Sequence, residues 1–147
     1  MIYSIELKLV PANDSKNRMP NAKELKSIID NYSEGNKGLV IGHDSFYDFQ
    51  YDTMNTGYDT IDTTGAIGFI QSSFIEDDKL FLVININDNI TISNRVILFY
   101  RAKLRNTNKD VSVTLNSVEL IAIDLINIRP METIKESNLS IIRREEK

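Results

Sequence analysis

Cysteine is absent and histidine occurs once, at His43. The first absence excludes disulfide scaffolds, thiolate zinc sites and cysteine nucleophiles, and the second excludes a His-rich metal centre. Positive charge is also short. Lys and Arg number 17 against 21 Asp and Glu, a formal net charge of −4. That balance disfavours non-specific binding to DNA or to an anionic membrane as the main activity. No apolar run approaches the roughly 20 residues that span a bilayer. Met1–Val10 reads polar and apolar by turns, as a strand does and an export leader does not. The expectation is therefore no cofactor, no metal, no nucleic-acid partner and no membrane partner.

The 147 residues suit one domain, and a hydrophobic share of 41% is enough for one core. About one residue in seven is Ile and one in ten is Asn. Branched Ile favours strands, and Asn favours the turns between them. An AT-rich genome would give the same bias without structural meaning.

Tyr3, Ile5, Leu7 and Leu9 alternate with Ser4, Glu6 and Lys8 and predict a half-buried strand ended by Pro11. Residues 12–20 read as a polar loop. Asn21 and Glu24 resemble a capping box, and Leu25, Ile28, Ile29 and Tyr32 follow at helical spacing, with Gly35 as the stop. Leu39-Val40-Ile41 reads as a short buried strand. Residues 44–64 break periodicity and read as a long loop, with Asp44, Asp48, Asp52, Asp59 and Asp62 between Phe46, Tyr47, Phe49, Tyr51 and Tyr58. Further strands are expected at 65–75, 80–86, 95–104 and within 111–128. Their turns are Glu76-Asp77-Asp78-Lys79, Asn87-Asp88-Asn89 and residues 106–110. The fold class is α+β and mostly β: a small antiparallel barrel or sheet of about six or seven strands, one helix near the N-terminus and a C-terminal tail. Residues 1–130 form the domain, and residues 131–147 form the tail or arm.

Each candidate site has a plain alternative. His43 can act as a general base, given a nucleophile and an orienting carboxylate, or can simply cap and pack. The acidic-aromatic stretch lacks EF-hand spacing, so it reads as a solvated or partner-binding loop rather than a Ca²⁺ site. Its aromatic residues Phe46, Tyr47, Phe49, Tyr51 and Tyr58, with Ile141 and Ile142 of the tail, are the candidate protein-interface residues. Gly65-Ala66-Ile67-Gly68 lacks the phosphate-loop Lys and the dinucleotide fingerprint and reads as a bulge or a close backbone approach. Arg101, Lys103 and Arg105 alternate along one strand and suit a solvated face or a salt bridge to an acidic neighbour.

Three segments, taken in order, resemble one family. Gly38-Leu39-Val40-Ile41-Gly42-His43-Asp44 is similar to the strand bearing the catalytic His in the prohead maturation proteases of tailed phages. Gly65-Ala66-Ile67-Gly68-Phe69-Ile70 followed by Glu76-Asp77-Asp78-Lys79-Leu80-Phe81-Leu82 resembles the next hairpin. Residues 118–130 resemble the late segment that ends in Pro. The resemblance implies a small β-barrel flanked by helices, like that of herpesvirus assembly proteases, and cleavage of scaffold and capsid proteins by a Ser–His pair with an orienting third residue. Here Ile97 occupies the Ser position and Ala122 the acidic position. A shifted alignment offers Ser93 as nucleophile, with Glu119 or Asp124 orienting His43.

What the resemblance implies is thus an auxiliary or decoration protein of a tailed-phage capsid, on a protease-like fold without its nucleophile. It would contact the major capsid protein or other virion proteins and would lie in the host cytoplasm before assembly. The alternatives are an active maturation protease using His43 and Ser93, and a small phage-encoded protein-binding module.

Overall fold

The computed structural model describes residues 1–8, 21–33, 38–55, 63–104 and 118–145. The strands are β1 (Ile2–Glu6), β2 (Leu39–His43), β3 (Ala66–Glu76), β4 (Lys79–Ile86), β5 (Val96–Leu104), β6 (Val118–Asn127) and β7 (Ile142–Arg144). The helices are α1 (Ala22–Ser33) and α2 (Phe46–Asn55). The seven strands form one curled sheet in the order β5-β6-β2-β3-β4-β1-β7. The mostly β, α+β class read from the periodicity holds. One pairing departs from the antiparallel pattern: β2 and β6 run parallel, with Ile41 opposite Asp124 and His43 opposite Ile126.

The curl brings the two ends of the sheet together. Just past β1, Leu7 bridges Leu98 of β5 in parallel, and the Lys8 N–H donates to the Leu98 carbonyl at 2.9 Å. The C-terminal segment seals this seam. Ser140 serves β5, its N–H reaching the Val96 carbonyl and its hydroxyl accepting from the Leu98 N–H, both at 2.8 Å. Ile141 serves β1, its carbonyl accepting from the Glu6 N–H at 2.8 Å, and β7 then pairs with β1. Such strapping satisfies edge groups that would otherwise offer a template for aggregation.

Side chains alternate between two covered faces. Val96, Leu98, Tyr100, Ile123, Leu125, Val40, Leu82 and Ile84 build the main core, and α1 adds Leu25 and Ile29 to it. The start of α1 is a reciprocal capping box. The Glu24 N–H donates to Asn21 Oδ1 at 2.9 Å, and the Asn21 N–H donates to Glu24 Oε1 at 3.3 Å. Asp30 ties α1 to β3 by accepting from the Ser73 hydroxyl. On the opposite face of β5 and β6 lies a second cluster of Phe49, Ile97, Ile126 and Ile128, with Phe46, Phe99, Ile134 and Leu139 against it.

Local chemistry explains the β3–β4 hairpin. Its two-residue turn, Asp77-Asp78, has φ of 51° and 62°, the left-handed pair that matches strand twist and that Asp tolerates. Gly68 marks the close approach expected of a strand glycine, since a Cβ there would stand 2.2 Å from the Asn85 carbonyl oxygen.

One expectation is corrected. The stretch read as a loop from Asp44 contains α2, so the domain has a second helix. The C-terminal tail packs as an arm, since residues 140–145 strap the sheet as described and Arg143 lies over the Phe81 ring at 4.8 Å.

Candidate functional site

The outer face of β2, β6 and β5 can be laid out in rungs from the register. One rung reads His43, Ile126, Ile97, and the next reads Ile41, Asp124, Phe99. Arg101 stands opposite Ala122 one rung further. Asp124 therefore occupies the middle of the face with His43 and Arg101 on its two diagonals. It is fully buried. A carboxylate in that position must be paired and hydrogen-bonded to stay ionised. Arg101 supplies a bidentate fork, Nε to Oδ2 at 2.8 Å and Nη2 to Oδ1 at 3.0 Å. His43 Nε2 lies 2.8 Å from Oδ1. An ionised carboxylate only accepts, so Nε2 carries the proton of this bond.

The chain leaving β2 explains why the imidazole is held so firmly. Ser45 accepts from the Asp48 N–H at 3.3 Å and caps α2. The buried Glu132 caps the same helix from far along the sequence. Its Oε1 accepts from the Phe46 N–H at 3.2 Å and the Arg129 N–H at 3.0 Å, and its Oε2 from the Tyr47 N–H at 3.1 Å. Burial pushes this carboxyl's pKa up. The donated N–H groups of Arg129, Tyr47 and Phe46 and the Ser45 hydroxyl outweigh burial and hold it below the ordinary Glu value. Arg129 adds a bond from Nε to the Asp44 carbonyl at 3.2 Å. Fixed in this way, α2 lays Phe49 against the imidazole, ring centres 4.7 Å apart, and Phe49 stacks in turn on Phe99.

The expected site residues divide accordingly. His43 and Asp124 come together. Glu119 lies on β6 opposite Lys103, so the acid that holds His43 is Asp124. Ser93 is exposed, and its hydroxyl is spent on its own turn. It donates to the Arg95 carbonyl at 2.9 Å and accepts from the Arg95 N–H at 3.2 Å. Ile97 is buried two strands across from His43 on the same rung. Of the interface candidates, Phe49 is buried and Phe46 half-buried, both in the second core cluster, so these two are not surface anchors. Tyr47 and Tyr51 are exposed, at 54% and 66%. Ile141 is exposed, Ile142 is half-buried against the main core, and Tyr58 lies outside the described residues.

A general base needs a hydroxyl within reach. Among the described residues no Ser or Thr hydroxyl is bonded to the imidazole, and the side chains nearest it on its rung are hydrocarbon. The arrangement is that of a buried ion pair with a histidine at its edge. Among the described residues no cluster of His, Asp and Glu could hold a metal ion, and no helix is long and apolar enough to cross a membrane.

Of the two readings open for Arg101, a solvated face or a salt bridge to an acidic neighbour, the structure shows the second, whereas Ser45 and Glu132 were missed. Ser45-x-x-Asp48 is a capping-box spacing visible in the sequence. Nothing local announces Glu132. No protein-family model, curated protein or solved structure matches the chain.

Proposed function

We propose that the chain is a non-enzymatic auxiliary protein of a tailed-phage capsid, built on a protease-like barrel and binding the major capsid protein or another virion protein. One observation carries the non-enzymatic part. The rung that begins at His43 continues into Ile126 and Ile97, and the candidate nucleophile Ser93 has its hydroxyl committed to Arg95. The capsid setting rests on the resemblance of residues 38–44, 65–82 and 118–130 to prohead proteases. Binding to a capsid asks for area and shape rather than a reactive group, and the exposed Tyr47 and Tyr51 offer a place to begin.

The second reading, an active maturation protease, draws its support from the 2.8 Å contact between His43 and Asp124. The two readings separate in a co-expression assay with the phage's scaffold and capsid proteins. The auxiliary-protein reading expects the same scaffold pattern with the parent chain, His43→Ala and Ser93→Ala. Cleavage that appears with the parent and stops in either variant overturns it.

A further inference from the structure

The strap across the seam between β1 and β5 is held by polar bonds more than by burial. Of residues 140–145, only Ile142 packs on a core cluster, and it is half-buried. Ile141 and the three charged residues from Arg143 to Glu145 are exposed. The ties are backbone bonds to both edges. Ser140 holds Val96 and Leu98 of β5, Ile141 holds Glu6, and the Glu145 N–H donates to the Ile2 carbonyl at 2.8 Å. Side chains then fix the register. The Ile141 N–H donates to the Glu6 carboxylate at 3.1 Å, and the Ser4 hydroxyl donates to Glu145. Arg143 pairs with Glu76 at 2.6 Å and lies over the Phe81 ring. Beneath the strap the seam has contacts of its own, the Leu7–Leu98 bridge and the bond from the Lys8 N–H to the Leu98 carbonyl. A segment with little apolar burial, over a seam that closes without it, opens locally at less cost than global unfolding.

We propose that the strap is an exchangeable strand, and that the wedge between β1 and β5 accepts residues 140–145 of a second copy of this chain. An opened wedge presents the bare edge of β1, which any extended chain can pair through its backbone. Its side-chain requirements are narrower. It asks for a hydroxyl to accept from the Leu98 N–H, a guanidinium between Glu76 and the Phe81 ring, and a carboxylate for the Ser4 hydroxyl. Residues 140–145 meet all of these in one register. A second copy therefore restores each bond that opening breaks, and local concentration decides between the chain's own strap and its neighbour's.

Strand exchange asks nothing of the capsid setting and is tested without it. The chain has no cysteine, so a single introduced thiol reports on one position. Tyr3 and Arg144 stand opposite each other across β1 and β7. Full chains carrying Tyr3→Cys and Arg144→Cys separately are mixed at high concentration under mild oxidation. A disulfide between them requires one chain's strap in the other's wedge. Its yield should exceed that of Tyr3→Cys mixed with Ser137→Cys, an exposed position outside the strap, about tenfold. An excess of a peptide of residues 139–145 should suppress it, and a scrambled peptide should not. Circular dichroism confirms folding, and Ile2→Cys with Glu145→Cys supplies a second pair in the same register. Hydrogen exchange on the unmodified chain reads the opening itself. The Glu6, Leu98, Ser140, Ile141 and Glu145 amides should exchange about 100-fold or more faster than the amides that pair β5 with β6. Arg143→Ala should speed that set about 5- to 30-fold and leave the β5–β6 amides unchanged. A mixed disulfide no more abundant than the Ser137→Cys control overturns the inference. So does equal suppression by the scrambled peptide, or strap amides that exchange only with the whole domain.

Discussion

Replacing Asp124 by Asn tests whether the centre of the outer face is a structural ion pair. The substitution keeps shape and removes charge. Asp124 is fully buried and receives bonds from Arg101 at 2.8 and 3.0 Å and from His43 at 2.8 Å. Asn still accepts through its oxygen, but its amide turns a donor toward one of the former donors. More costly is Arg101, which is 5% exposed and would lose its counter-charge. Breaking one side of a buried pair costs about 3–5 kcal/mol. For a domain whose total stability is about 5–15 kcal/mol, that is a large fraction. His43 sits at the edge of the site, and its replacement by Gln leaves Asp124 with Arg101, so the cost should be about 1 kcal/mol. Arg101→Met/Asp124→Leu replaces the pair with hydrocarbon and should regain most of the Asp124→Asn loss, since apolar replacement of a buried pair is often neutral. The assay is urea unfolding followed by tyrosine fluorescence and circular dichroism, with stabilities compared at constant m-value. An Asp124→Asn variant within about 1 kcal/mol of the parent, or a His43→Gln variant more damaging than Asp124→Asn, would refute the reasoning.

Three further outcomes are expected. Glu132→Gln should loosen α2 by about 1–3 kcal/mol, because a charged acceptor of several backbone donors is weakened. The Glu132 carboxyl lies below its ordinary value in the folded chain, so its contribution is complete above the unfolded value and drains as pH falls through the folded one. Denaturant midpoints between neutral and strongly acidic pH should thus fall less steeply in the variant; parallel curves contradict the cap. Gly68→Ala should cost at least about 1–3 kcal/mol, because its Cβ would meet the Asn85 carbonyl oxygen at 2.2 Å, and an unchanged melting temperature would show that the strands part freely. Asn21→Ala removes one half of the α1 capping box and should cost about 1 kcal/mol, read from the same unfolding curves.

Much of the curled sheet is legible in the sequence because its determinants are local. The capping-box residues Asn21 and Glu24, the apolar stripe after them and the Asp77-Asp78 turn need no distant partner. Helix α2 is harder. Its Phe, Tyr and Asp residues are weak helix formers, and the stabilising cap comes from Glu132, more than 80 residues away in sequence. The Ser45-x-x-Asp48 spacing was the available local signal. The site follows the same logic. Asp124 is a lone charge inside Ile121-Ala122-Ile123-Asp124-Leu125-Ile126, and a charge in such a run needs a partner when the strand is buried on both faces. Which partner depends on the parallel pairing of β2 with β6, and periodicity carries no information on strand order.

The measurement that reaches the central claim most directly is quantitative mass spectrometry of purified tailed-phage particles from the host in which the gene is found, scaled to the major capsid protein, since the proposal requires a phage origin. The account predicts the intact chain in a fixed ratio to that protein. Its absence from mature particles, together with truncated capsid or scaffold proteins whose processing requires His43, would contradict the account and restore the protease.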